Sequence, residues 1–211
     1  MSYAVKEMFL TLQGEGIHAG RRAVFIRFAG CNLWSGREQD RTSAICRFCD
    51  TDFVGMDGPG GGRFPDGAAL AETAARIWGD APREERFAVL TGGEPMLQVD
   101  DGAVDALHAQ GFTIAIESNG TIAAHPGIDW ICISPKAGSE VVQRRGDELK
   151  LVWPQDGMDI AALEAWDFAN FLVQPMDSDA REENLTSAIA FAMERPRWRL
   201  TLQTHKMLGL P

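Results

Sequence analysis

Basic residues are in short supply. Twenty Lys and Arg stand against 30 Asp and Glu, a formal charge of -10. Such a field repels a phosphate backbone, so no nucleic acid partner is expected. No stretch approaches the ~20 consecutive apolar residues of a membrane span. The opening Met1-Ser-Tyr-Ala-Val-Lys-Glu7 has no basic region ahead of an apolar core, so no secretory leader or membrane partner is expected either. Cysteine is rarer still, four in 211 residues, which is not the framework of a disulfide-stapled secreted domain. These absences point to a cytoplasmic protein. Internal repeats, linkers and low-complexity tails are also missing. The 45% hydrophobic content suffices for a substantial core, and one domain over residues 1–211 is expected.

What the chain does have is a concentration of its few cysteines. Cys46-Arg47-Phe48-Cys49 forms a C-x-x-C pair, and Cys31 lies upstream with fourteen residues between it and Cys46. Three thiolates on one short segment, without an obvious fourth, suit an iron-sulfur cluster that keeps one iron open for chemistry. A closed structural zinc site wants four protein ligands. A C-x-x-C pair alone serves zinc as readily as a cluster, and the third cysteine favours the cluster. Cys132 sits in the apolar run Trp130–Ile133, where a small buried thiol is ordinary, and it is not counted as a ligand.

Short apolar runs alternate with helical patterns. Ala23–Phe28, Phe87–Leu90, Thr113–Glu117, Trp130–Ile133, Leu149–Val152, Phe171–Gln174 and Arg199–Gln203 read as strands, mostly too apolar to have a solvent face, hence buried and parallel. Helices are predicted from an Asp66 cap over 68–78, over 101–110 ending at Gly111, over 159–166, and over 183–195 before Pro196. The crossovers 117–130 and 133–149 are too short or too polar for full helices. The expected architecture is therefore α/β, an incomplete TIM-type β/α barrel. Gly58-Pro59-Gly60-Gly61-Gly62 reads as a turn or hairpin tip; no helix follows it directly, so a phosphate loop is disfavoured.

Polar motifs follow the strands. They are Ala29-Gly-Cys31, Thr91-Gly-Gly-Glu-Pro95, Glu117-Ser-Asn-Gly-Thr121, Ser134-Pro-Lys136, Gln174-Pro-Met-Asp177 and Gln203-Thr-His-Lys206. In a β/α barrel the C-terminal strand ends converge on one mouth, which turns these motifs into one surface. Each also has an ordinary reading. Gly92-Gly93 fits a tight turn as well as a backbone edge offered to a ligand beside the acceptor Glu94. Lys136 and His205 fit a surface as well as a site. Asp50-Thr51-Asp52 fits a helix cap as well as a hard-oxygen magnesium site.

Taken together, the three-cysteine segment Cys31–Cys49, Thr91-Gly-Gly-Glu-Pro95 and Ser134-Pro-Lys136 resemble the radical S-adenosylmethionine superfamily. A closer pattern, Leu12-Gln-Gly-Glu-Gly16, Arg27-Phe-Ala-Gly-Cys-Asn-Leu-Trp34, Cys49-Asp-Thr51, Glu117-Ser-Asn-Gly-Thr121, Ser134-Pro-Lys136 and Gln174-Pro-Met-Asp177, is similar to the 7-carboxy-7-deazaguanine synthase family and spans most of the chain. The gap between Cys31 and Cys46 is wider than the superfamily pattern, giving an expanded loop at about 31–49 of a kind some members of this family carry.

The resemblance implies a radical S-adenosylmethionine core with a 4Fe-4S cluster on Cys31, Cys46 and Cys49, its fourth iron chelated by S-adenosylmethionine. Reductive cleavage then yields a 5'-deoxyadenosyl radical. The substrate implied is 6-carboxy-5,6,7,8-tetrahydropterin, which contracts with loss of ammonia to 7-carboxy-7-deazaguanine on the way to queuosine. No residue is implied as general acid or base. By the same resemblance Phe48 packs by the adenine, and Gly92, Gly93 and Glu94 meet the methionine amine. Glu117, Ser134, Pro135, Lys136 and the turn Gln174, Pro175, Met176, Asp177 hold the rest of the cofactor. Leu12, Gln13, Gly14, Glu15, Arg27, Thr91 and His205 face the pterin, with Arg27 pairing to its carboxylate. Thr51 is the implied Mg2+ ligand, the terminal carboxylate at Pro211 is a further candidate for the pterin's N-H donors, and a flavodoxin-type donor and a homodimer are implied partners. Two competitors stand beside this reading. A glycyl-radical activating enzyme would share the cysteines but not need Leu12–Gly16 and Arg27. A zinc-binding interaction module would need a fourth ligand such as His18.

Overall fold

Nine strands form one sheet in the order β3-β1-β2-β4-β5-β6-β7-β8-β9. The computed structural model describes Met1–Pro211. The strands are β1 Tyr3–Leu12, β2 Arg22–Phe28, β3 Gly62–Phe64, β4 Phe87–Gly92, β5 Thr113–Ser118, β6 Trp130–Ile133, β7 Arg145–Trp153, β8 Asp167–Pro175 and β9 Trp198–Leu200. From β2 to β9 every neighbouring pair is parallel. Only β1 is antiparallel, to both β2 and β3. With β3 at one edge and β9 at the other, the sheet is an incomplete barrel, in agreement with the expected fold class.

Side chains alternate between two environments, as the two-residue period of a strand requires. On β2, Val24, Ile26 and Phe28 join the helix-side core, whereas Phe25 and Arg27 line an internal cavity. On β7, Leu149 and Leu151 pack outward under α4 Arg181–Glu194, whereas Lys150 and Val152 line the cavity. Helices α1 Gly67–Trp78 and α2 Asp101–Ala109 cover the first half of the sheet. Both start on aspartate caps, Asp66 accepting from Ala69 N and Asp100 from Ala103 N, each worth about 1 kcal/mol. Leu70 of α1 is fully buried, a gain of about 2 kcal/mol over exposure.

Several boundaries differ from expectation. Strand β1 was not anticipated, because its lysine, glutamate and threonine dilute the apolar pattern, yet Tyr3, Val5 and Met8 are buried. The glycine-rich run 58–62 is a turn, as expected, but it also feeds β3, and Gly58 N and Pro59 O bond to the backbone of β1. The strand expected over 199–203 ends at Leu200 and gives way to a short helix, α5 Thr204–Leu208. The helix expected over 159–166 contracts to α3 Ile160–Glu164. No helix occupies either crossover 117–130 or 133–149.

Candidate functional site

The six strand-end motifs converge as their positions predict. A cavity of about 360 Å³ is lined by Cys31, Gly92, Ser118, Ser134, Gln174 and Gln203, one from each motif. Its open side, between β1 and β9, is spanned by backbone. Gly14 O accepts from Thr204 N at 2.9 Å and from its hydroxyl at 2.8 Å, and Gly16 N donates to Thr201 Oγ1 at 2.9 Å. This crossing requires glycine at 14, since a Cβ there would lie 2.1 Å from His205 Nδ1. Pro211 also lies on the wall, its carbonyl accepting from Thr11 Oγ1.

Cys31, Cys46 and Cys49 all line this cavity, with Cys46 the most buried at 5% exposure. The hydrogen bond from Cys46 lowers the Cys49 thiol to about 6 against the opposing effect of burial, while Cys46 itself is pushed up. A thiolate at neutral pH is the form that binds metal. Three thiols on one wall, one of them readily ionised, have the donor chemistry that an iron-sulfur cluster takes. Cys132 is buried in β6, away from the lining. His18, the fourth ligand that a zinc module would need, is packed between Phe87 and Trp130 with ring centroids 4.9 and 4.4 Å away, and does not reach the thiols' wall.

Gly92 and Gly93 lie on the wall at the end of β4. Gly92 has φ +131°, and a Cβ there would sit 2.1 Å from Phe28 O, so the close passage of backbone past β2 excludes any side chain. Glu94 departs from the expectation of an acceptor facing the cavity. It is fully buried, and its carboxylate accepts from Ser118 Oγ on both oxygens, from Asn119 N at 2.8 Å and from Met96 N at 3.0 Å. Burial raises its carboxyl. These bonds tie Glu94 to the Ser118-Asn119 turn behind the wall, while Gly92 and Gly93 stay on the lining. Pro135 is likewise buried off the lining. Lys136 Nζ donates to Ser134 O and Oγ, both at 2.7 Å, and lies 5.9 Å from the Phe48 ring centre. Burial lowers its ammonium.

Deeper in the cavity, Lys150 contacts the carboxylates of both Glu15 and Glu117. Gln13 Nε2 adds a bond to Glu117 at 2.9 Å and Gln203 Nε2 one to Glu15 at 3.0 Å. Burial alone would raise Glu15, but the charge and hydrogen bond of Lys150, with Gln203 and His205, bring it down to about 2. Burial opposes the Lys150 charge too, and its two carboxylates hold it well above the ordinary lysine value. The result is an ionised Glu15 with a second carboxylate, Glu117, held on the same ammonium within the cavity. Across from them, Arg27 Nε is taken by Glu7 at 2.7 Å, and its terminal nitrogens have no protein acceptor. Thr91, Leu12 and His205 complete this part of the lining.

Near the mouth, Lys206 joins Asp50 at 2.5 Å and Asp177 at 2.6 Å, and Arg181 also holds Asp177. Lys6 pairs with Asp52 at 2.8 Å. Both carboxylates flanking Thr51 are thus engaged by lysines, and Thr51 itself lies on the cavity lining. Pro175 and Met176 border the same region. The sequence reading missed Lys150 and Lys6, and placed Lys206 at the mouth without its carboxylate partners. Lys150 had a visible signal: with Glu148 it places charge at alternate positions of the buried stretch Glu148–Leu151, beside the apolar Leu149 and Leu151.

No family model matches the chain. A 7-carboxy-7-deazaguanine synthase of Bradyrhizobium diazoefficiens is 60% identical over 210 residues and that of Bordetella pertussis 57% over 211, each alignment covering 100% of both chains. Among solved structures, QueE from Escherichia coli superimposes with a TM-score of 0.71 at 26% identity, covering 96% of this chain and 94% of its own. Two full-length alignments of that identity, over a fold and a thiol-lined cavity of this form, leave one assignment: the chain belongs to the 7-carboxy-7-deazaguanine synthase family.

Proposed function

We propose that this chain contracts the ring of 6-carboxy-5,6,7,8-tetrahydropterin, with loss of ammonia, to give 7-carboxy-7-deazaguanine for queuosine and related 7-deazapurines. The observation that carries the reading is one cavity with three thiols on one wall and a Glu15-Lys150-Glu117 group on another. Cys31, Cys46 and Cys49 would hold the 4Fe-4S cluster, and Phe48, Gly92, Gly93, Ser134, Lys136 and the Gln174–Asp177 turn would hold S-adenosylmethionine. When bound, that pair supplies one-electron reduction and a carbon radical able to remove hydrogen from an unactivated C-H bond.

The remaining work belongs to side chains of the chain. Arg27 offers its terminal nitrogens to the substrate carboxylate, a planar two-point match. Glu15, kept ionised by Lys150, accepts from the pterin's N-H groups, which fixes the ring in one orientation. The Gly14–Thr204 crossing excludes water from one side, which protects a reactive intermediate. Thr51 would offer a hydroxyl to Mg2+, which takes hard oxygen donors. The electron comes from a flavodoxin-type donor, and the chain works as a homodimer in the cytoplasm; family membership supports these three parts.

The test is anaerobic reconstitution with iron and sulfide, then reduction with S-adenosylmethionine and 6-carboxytetrahydropterin, products being read by mass spectrometry. Formation of 5'-deoxyadenosine and the deazaguanine acid is expected. Cleavage of S-adenosylmethionine with the pterin untouched would sink the substrate and point to the activating-enzyme reading.

A further inference from the structure

The geometry points to Arg41, in the segment between Cys31 and Cys46, as the positioning residue that holds the Cys46–Cys49 turn in a cluster-ready shape. This rests on the proposed cluster ligands and concerns how the chain presents them. The segment is a closed excursion, not a slack one. Leu33 O accepts from Ile45 N at 3.1 Å and from Cys46 N at 3.3 Å, so the two ends of the insertion meet and Cys46 emerges beside the strand-end that carries Cys31. Ser35 Oγ to Asp40 and Ser43 Oγ to Asp40 O tie it within. Such a self-packed excursion is an Ω-loop.

From its short 3-10 turn, Glu38–Ser43, a single side chain reaches the cysteine turn. Arg41 Nη1 donates to Arg47 O at 2.9 Å and Cys49 O at 3.2 Å. Its Nε and Nη2 are held by both oxygens of Glu38 at 2.7 and 2.6 Å, and its guanidinium carbon stands 4.0 Å over the Trp34 ring. Trp34 is 7% exposed and packs edge-on to Phe53 with centroids 5.6 Å apart. The fork is thus aimed from two sides, by a bidentate carboxylate and a fixed aromatic face, at the two carbonyls that shape the C-x-x-C turn. Only a planar guanidinium makes these contacts together; a lysine ammonium cannot. The insertion widens the cysteine spacing, and Arg41 restores the constraint that widening removes.

The experiment compares the full chain with Arg41→Met, Arg41→Lys and Arg37→Met, an exposed neighbour outside the clamp. Hydrogen exchange is followed at the amides of Ile45 and Cys46 in the metal-free chain, and release of iron to a chelator after anaerobic reconstitution. The spectrum of the reduced centre with S-adenosylmethionine is recorded by electron paramagnetic resonance. Arg41→Met is expected to speed amide exchange and iron release by about tenfold, the scale of one charge-assisted hydrogen bond, and to shift the spectrum. Arg41→Lys should fall between, and Arg37→Met should match the parent. Parent-like exchange and release in Arg41→Met would overturn the proposal. If the parent chain takes up no iron and sulfide, the ligand assignment fails while the exchange arm still decides the clamp.

Discussion

Lys150 and Glu15 meet in the cavity although 135 positions separate them. Both side chains are nearly removed from water, at 4% and 14% exposure, and the same ammonium also contacts Glu117. Removing one partner of a buried pair leaves uncompensated charge, typically a loss of 3–5 kcal/mol. Lys150→Met is therefore expected to lower the unfolding free energy of the metal-free chain by about that amount in a denaturant titration. A loss under about 1 kcal/mol would show that water reaches the pair.

The same pair sets an acid limit. Glu15 titrates near 2 in the folded chain and near 4.5 when unfolded. A depressed carboxyl contributes stability that is fully present above the unfolded value and is lost as pH falls through the folded one. Stability attributable to Glu15 should hold down to about pH 4.5 and decline between there and about pH 2. In Lys150→Met burial raises the Glu15 carboxyl instead, so this acid loss should vanish and stability should rise as pH falls through the raised value. Identical acid-unfolding curves for the two proteins would refute the linkage.

Substituting Cys31, Cys46 or Cys49 by alanine should abolish retention of a reconstituted cluster, measured as iron and sulfide per chain. Cys132→Ala should retain it and cost about 1 kcal/mol, as a small buried side chain trimmed in a packed strand.

Gly92→Ala places a Cβ against the Phe28 backbone at a φ that side chains rarely adopt. Strain of roughly 1–3 kcal/mol, increased by the clash, should lower Tm by about 5–10 °C. An unchanged melting curve would mean that the β2–β4 passage can widen.

Arg27→Lys keeps the charge but loses the two-point match. The KM for 6-carboxytetrahydropterin should rise about 10- to 100-fold, with KM for S-adenosylmethionine nearly unchanged. Equal rises in both constants would place Arg27 outside the substrate region.

Much of this arrangement is legible in the chain because parallel strands announce themselves as apolar runs, and their C-terminal ends as the polar residues that follow. Cys31, Thr91, Ser134 and Gln174 could be placed at one mouth on that basis alone. Strand β1 escaped because an edge-proximal antiparallel strand tolerates Lys6, Glu7 and Thr11 among its apolar residues. Glu94 shows a different limit. Its sequence context gives its neighbourhood, but the direction of its carboxylate depends on Ser118 and Asn119 from another strand end. The partners of Lys206 and Lys6 are illegible for the same reason: each lysine acquires its ion pairs from Asp50, Asp177 or Asp52, far away in sequence.

The bond from Thr204 to Gly14 closes a loop that contains nearly the whole chain. Contacts of such separation are the slowest to form, since the entropy of closing the loop precedes any reward from it. During synthesis, the three cysteines leave the ribosome more than 150 residues ahead of Thr204. The sheet from β1 to β5 can pair early, whereas the wall bearing His205 and Lys206 cannot exist until the end. The cavity that the three thiols line is accordingly completed only once Thr204 and its neighbours have been made.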